Sequence, residues 1–143
     1  MNKAKEYLNQ IRDLDAAIKR RQKEVEELRE TAMSASAKLD ANRIRTDSPD
    51  PDPLAAKIAK WVDMEHELDD MIDELIELKH TVIGQIQKIG NSKYCEILWM
   101  RYVDMETFDQ IADSTGYSVR HVLRLHGEAL QRFNKIFYVQ ERK

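Results

Sequence analysis

The sequence predicts an all-α chain, a long helical hairpin or coiled coil followed by a C-terminal helix-turn-helix domain. Three observations predict it. Apolar residues recur every seven positions along two long stretches, 2–36 and 54–89, the period of a helix that presents one seam. The composition is that of solvated helices: 34% of the residues are charged, 7% are aromatic and only four are Gly. A sheet protein would hold more β-branched and aromatic residues and more Gly-bearing turns. Near the C-terminus, Thr107 and Ser118 stand as caps on either side of a Thr115-Gly116-Tyr117 turn, which is the spacing of two short helices joined at an angle.

Residues 1–37 form the first predicted helix. One heptad row is Ala4, Ile11, Ile18, Val25 and Ala32; the other is Tyr7, Leu14, Arg21, Leu28 and Ala35, with Arg21 as the interruption. The residues between are mostly Lys, Arg, Glu and Gln, all strong helix formers, and Asn2 is the expected N-cap. Residues 38–53 hold all three prolines at alternate positions, together with Asp47, Asp50 and Asp52, and read as an extended acidic linker. Asp52-Pro53 then starts the next helix, with Pro at its first position.

Residues 54–90 are the second long helix. Leu54, Trp61, Leu68, Leu75, Val82 and Ile89 recur at sevens, flanked by Ile58, Ile72 and Ile86 on one side and Met64, Met71 and Leu78 on the other. That face is wider than one seam and suits two neighbours. A straight helix of this length spans about 54 Å, and Gly90-Asn91 is its stop signal. The overall charge of −3 is segregated: residues 1–45 carry +3, 54–90 carry −4, and 118–143 carry +4. An antiparallel hairpin, or an oligomer built from these helices, pairs the opposite signs. Two stripes of this length predict a homo-oligomer.

Residues 91–143 form the last predicted domain. Tyr94, Ile97, Leu98 and Tyr102 give a short amphipathic helix, and Val103–Glu106 a connection. Thr107-x-x-Gln110 is a capping box, Gly116 is free to take positive φ, and Ser118 caps a helix running towards residue 137. On that last helix Val122, Leu125, Ala129 and Phe133 share a face that can pack on Phe108 and Ile111. Arg120, Arg124, Gly127 and Gln131 share the opposite face. Two arginines one turn apart near the start of an exposed second helix suit a major groove, where Arg donates to guanine or clamps a phosphate. Ser118 and the helix N-terminus suit a phosphate. The expected partner is therefore double-stranded DNA, with 118–133 as the recognition helix.

TFDQIADSTGYSVRHVLRLHGEALQRF, at residues 107–133, resembles region 4 of sigma-70-type factors, in Thr107, Ile111, Gly116, Ser118, Val122, Leu125 and the Ala129-Leu130 pair. The preceding YCEILWMRYV is similar to the helix before it. The wording RYV…TF…IA…GYS.RHV.RLHG.AL resembles more closely the small phage regulators of the ArpU/RinA-like group. The resemblance covers about residues 92–137. It implies that Val119, Arg120 and Arg124 read bases and that His121 and Leu123 face phosphates, and it brings in RNA polymerase as a candidate partner. Val119 and Leu123 stand where sigma factors usually carry polar or basic residues. The expected DNA-binding set is Ser118, Val119, Arg120, His121, Arg124 and Gln131, in a transcriptional regulator of phage or prophage genes. A small terminase-like DNA-packaging protein and an interaction module without DNA binding are the alternatives.

Other classes find less support. No run of 18 apolar residues exists, so no membrane helix is expected, and the charged N-terminus is not that of a signal peptide. A cytoplasmic location follows as the expectation. The single cysteine, Cys95, excludes an intramolecular disulfide and a Cys-based zinc site, and reads as packing rather than as a nucleophile. His121 and His126, five apart, do not share a metal-binding helix face, and His66 and His80 read as solvated. The carboxylates between Glu65 and Glu77 read as a charged exterior. No cofactor, metal or catalytic site is expected, and the chain is not read as an enzyme.

Overall fold

The computed structural model describes residues 2–42 and 53–138. It is all-α, with no strand among the described residues. The helices are α1 (Lys3–Asn42), α2 (Pro53–Lys88), α3 (Ser92–Leu98), α4 (Phe108–Thr115) and α5 (Val119–Phe137), and a π-helical segment, Trp99–Val103, follows α3 directly. No described helix is long and apolar enough to cross a membrane.

Two features of these bounds correct the sequence reading. The first helix continues past residue 37 to Asn42, because residues 38–42 contain neither Gly nor Pro and the first proline is Pro49. The rest of the expected acidic linker, including the Asp52 cap, lies outside the described residues, while Pro53 is the first residue of α2. The helix expected from Tyr94 to Tyr102 changes register at Trp99: Asp104 N–H donates to the Trp99 carbonyl, five residues back, at 3.0 Å. Such a widened turn inserts one residue and re-aims the side chains that follow.

The chain divides into two compact units, residues 1–15 with 75–143, and residues 16–74. The division falls within both long helices rather than at residue 90, because the ends of both helices are packed with α3–α5.

In the 16–74 unit, α1 and α2 run antiparallel. Ile18, Val25 and Ala32 are buried along α1, and Trp61, Met64, Leu68 and Met71 are half-buried on α2. Arg21, the polar interruption of the heptad, reaches Glu67 of α2 at 3.8 Å. On α2, Ile58 and Val62 remain exposed.

The other unit has two apolar clusters. The larger joins Ala4, Leu8 and Ile11 of α1, Val82 and Ile86 of α2 with Ile89 just after it, Leu98, Tyr102, and Ala129, Leu130 and Phe133 of α5. The smaller joins Ile97, Ile111, Ala112, Val122 and Leu125, with Phe108 and Tyr117 against it. Polar contacts close the helix ends over these clusters. Asn134 of α5 accepts from the Ala4 N–H at 2.9 Å and donates to Asn2 at 2.8 Å, so a distant side chain satisfies one of the first free amides of α1. Tyr7 donates to Gln85 at 2.7 Å. Arg132 donates to the carbonyl of Ile89 at 3.2 Å. Gly90, at φ 78°, ends α2, and Asn91 caps α3 by accepting from the amides of Lys93 and Tyr94.

Candidate nucleic-acid interface

The interface begins with the turn that aims α5. The Thr107 hydroxyl accepts from the Gln110 amide at 3.1 Å and the Gln110 side-chain oxygen accepts from the Thr107 amide at 2.8 Å, which fixes the start of α4. Gly116 ends α4 in the left-handed region at φ 78°, a conformation with little cost only for Gly. Two residues later Ser118 caps α5 by accepting from the His121 amide at 3.1 Å. Buried Ile111 and Ala112 of α4 then meet Val122 and Leu125 of α5. The inner face of α5 is thereby fixed, and its outer face follows from the helical period.

On that outer face Arg120, Leu123, Arg124 and Gln131 are exposed. Val119 and Leu123 stand out because they are large and apolar, at 38% and 47% exposure. Ser118, Val119, Arg120, His121 and Arg124 fall within the first two turns. Gln131 lies eleven residues beyond Arg120, about 16 Å along the axis, and so belongs to a different part of any ligand. Gly127 is half-exposed on this face, and a Cβ there would meet nothing within 4 Å.

The two arginines are in different states. Arg120 has no hydrogen bond or ion pair among the described residues. Arg124 is held: its Nη2 donates to His121 Nδ1 at 2.9 Å, and its Nε is 4.0 Å from Glu128 Oε1. A guanidinium can only donate, so Nδ1 is the acceptor in this contact. Glu128 Oε2 in turn accepts from the Tyr94 hydroxyl of α3 at 3.0 Å. The Tyr117 ring meets His121 edge-on at 4.7 Å. A polar chain thus runs from Tyr94 through Glu128 and Arg124 to His121. Its hydrogen bond to the Glu128 carboxylate, more than burial, raises the Tyr94 phenol above its ordinary value. These groups are solvated, so the chain contributes orientation more than stability.

The sequence reading did not place Tyr94 or Glu128 in the site. Glu128 could have been found, since it sits four residues after Arg124. Tyr94 could not, since its contact is tertiary. His126 is also placed by the structure: it is buried on the inner face of α5 at hydrogen-bond distance from Tyr102, 2.7 Å, away from the outer face. Cys95 is half-buried, with its thiol 3.2 Å from the Ile86 carbonyl. Among the described residues no group of three His, Cys, Asp or Glu side chains is gathered that could hold a metal ion.

Between Ser118 and Tyr138 four basic residues face one acidic residue. An exposed helix with cationic side chains over its first two turns can contact phosphates and the guanine edge in a groove. Residues 57–134, more than half of the chain, match a family described as a protein of unknown function (DUF1492). No curated protein and no solved structure matches.

Proposed function

The chain belongs to the DUF1492 family, whose function is unknown, and from this chain's own residues we propose a sequence-specific DNA-binding transcriptional regulator. In this reading α4 and α5 form a helix-turn-helix, and the first two turns of α5 enter the major groove of double-stranded DNA. The observation that carries the reading is the outer face of α5. Arg120 and Arg124 project there, opposite the buried Val122, Leu125 and Ala129. Phage or prophage genes, and RNA polymerase as a partner, are proposed from the resemblance to sigma region 4 and to the ArpU/RinA-like regulators.

The long helices have a separate role, self-association. Ile58 and Val62 on α2 leave an apolar strip uncovered in the 16–74 unit, which a second copy of the chain covers. Light scattering tests this part: a 16.8 kDa particle at micromolar concentration refutes it.

Affinity measurements on Arg120→Ala and Arg124→Ala, with selected and random duplexes at two salt concentrations, test the DNA reading. A base-directed arginine costs about 1–3 kcal/mol on the selected duplex alone, whereas a phosphate-directed one weakens all duplexes and lowers the salt slope by about 1. Two folded variants that bind every duplex as tightly as the parent overturn the reading.

A further inference from the structure

We infer that Val119 and Leu123 read thymine methyl groups, so that the DNA element bound by α5 places thymine beside the base contacted by Arg120. The inference rests on the DNA-binding reading above and names the chemistry of its target.

The apolar residues of α5 are divided. Val122, Leu125, Ala129, Leu130 and Phe133 are buried, Val122, Ala129 and Phe133 completely. Val119 and Leu123 are the exceptions, at 38% and 47% exposure. Being four residues apart, they form one ridge on the helix surface. Neither fills the core, and the fold gives no reason for two large apolar groups in water at this point. Their position is specific: the ridge lies within the first two turns of α5, and Arg120 lies beside it on the outer face. In a recognition helix this is the stretch that meets base edges.

The major groove offers one apolar group, the C5-methyl of thymine, among hydrogen-bonding atoms. An arginine beside an apolar ridge therefore matches a guanine edge beside thymine methyls. Lys, Arg or Gln at these two positions would instead direct the helix to phosphates or to hydrogen-bonding edges. An acidic protein surface is the competing occupant. It would satisfy the arginines, and its outcome in the test below is a chain that binds no duplex.

The test uses the full chain and a duplex enriched from a random pool. Each thymine is replaced in turn by deoxyuridine, which removes only the methyl group. At one or two positions the exchange weakens binding about three- to fivefold, which is what burial of one such group supplies. Leu123→Ala, which removes an exposed side chain and leaves the core intact, loses the thymine–uracil difference at the position that Leu123 contacts, and Leu123→Met restores it. An enriched duplex indifferent to uracil at every position overturns the inference and leaves the DNA reading standing. A thymine preference that survives both Leu123→Ala and Val119→Ala also overturns it. If no duplex is enriched or bound at low salt, the DNA reading fails and the inference falls with it.

Discussion

The hydroxyl of Tyr102 lies 2.7 Å from Nε2 of His126, inside the protein and between its two apolar clusters. Phe108 meets the same imidazole edge-on at 5.0 Å. Burial first, and the nearby Arg101 and Lys5 second, push His126 down to about 4 from its ordinary 6.5. Burial likewise pushes the Tyr102 phenol up to about 12. The pair is therefore neutral at pH 7, one hydroxyl and one uncharged imidazole.

A pH dependence follows with a definite sign. Between pH 6.5 and about 4 the unfolded chain protonates His126 and the folded chain does not. Stability is complete above that window and falls as the pH drops through it, by about 3 kcal/mol in all. Urea midpoints at pH 7.0 and 5.0 measure the loss. The double variant Tyr102→Phe, His126→Leu removes both partners together, which avoids leaving one buried group unsatisfied. It should flatten the curve in this window. A parent protein as stable at pH 5.0 as at pH 7.0 contradicts the assignment.

Gly116 carries the turn between α4 and α5 at φ 78°. Gly116→Ala should cost about 1–2 kcal/mol through the left-handed backbone alone, since a Cβ there meets nothing within 4 Å. Gly116→Asn should cost less, because Asn tolerates this conformation. Thr107→Ala removes half of the capping box and should cost about 1 kcal/mol. Thermal melts of the three variants rank them, and equal melting of the Ala and Asn variants contradicts the backbone argument.

This region was the most legible part of the sequence. Thr107, Gln110, Gly116 and Ser118 act through bonds and backbone conformations three residues or fewer apart, so the local sequence contains both partners. The π-helical segment was not legible. Nothing in WMRYV specifies a bond to the fifth residue back. The register is accompanied by tertiary contacts: Tyr102 is buried, Arg101 stacks 4.0 Å over Phe108, and Arg12 of α1 donates to the Arg101 carbonyl. The heptads of α1 and α2 located their apolar faces but could not name what covers them. Burial of Ala4 and Ile11 against α5 comes from the same stripe as burial of Ile18 and Val25 in the other unit. The exposure of Arg120, Arg124 and Gln131 on α5 follows from the helical period, while the tether from Tyr94 requires knowing that α3 lies beside it.

Glu128 sets the orientation of Arg124 and also places a negative charge on the proposed DNA face. Glu128→Gln should therefore separate two quantities. Affinity for random duplexes should rise, because one carboxylate no longer opposes the phosphates. Discrimination between selected and random duplexes should fall several-fold, because Arg124 loses one of its two supports. Tyr94→Phe should lower discrimination without raising random affinity. Titrations of both variants against both duplexes check the pattern, and parallel changes in the two variants argue against a positioning role.

Gly127 offers a similar separation of stability from binding. A glycine inside a helix costs about 0.5–1 kcal/mol relative to alanine, and the space beside Gly127 is open. Nothing within the described chain requires it. Gly127→Ala should raise the melting temperature. If the backbone approaches the duplex here, the added methyl should weaken binding to every duplex by several-fold. A more stable variant with unchanged affinity removes Gly127 from the interface and leaves the arginines in place.

The packing of the helix ends makes a prediction about dissection. A fragment of residues 91–143 retains α3, α4 and α5 but loses Ala4, Leu8, Ile11, Val82, Ile86 and Ile89 from around Leu130 and Phe133. At about 1.5–3 kcal/mol for each large aliphatic side chain lost from contact, the deficit is on the order of 10 kcal/mol, comparable to the whole stability of a small domain. The fragment should melt without a cooperative transition and should bind no duplex, whatever the full chain does. Residues 75–143 restore Val82, Ile86 and Ile89, and adding residues 2–15 as a separate peptide restores the rest, including the Asn134–Ala4 bond. Cooperative melting should return in that order. A fragment of residues 91–143 that folds as sharply as the full chain would show that α3–α5 form their core without the ends of α1 and α2.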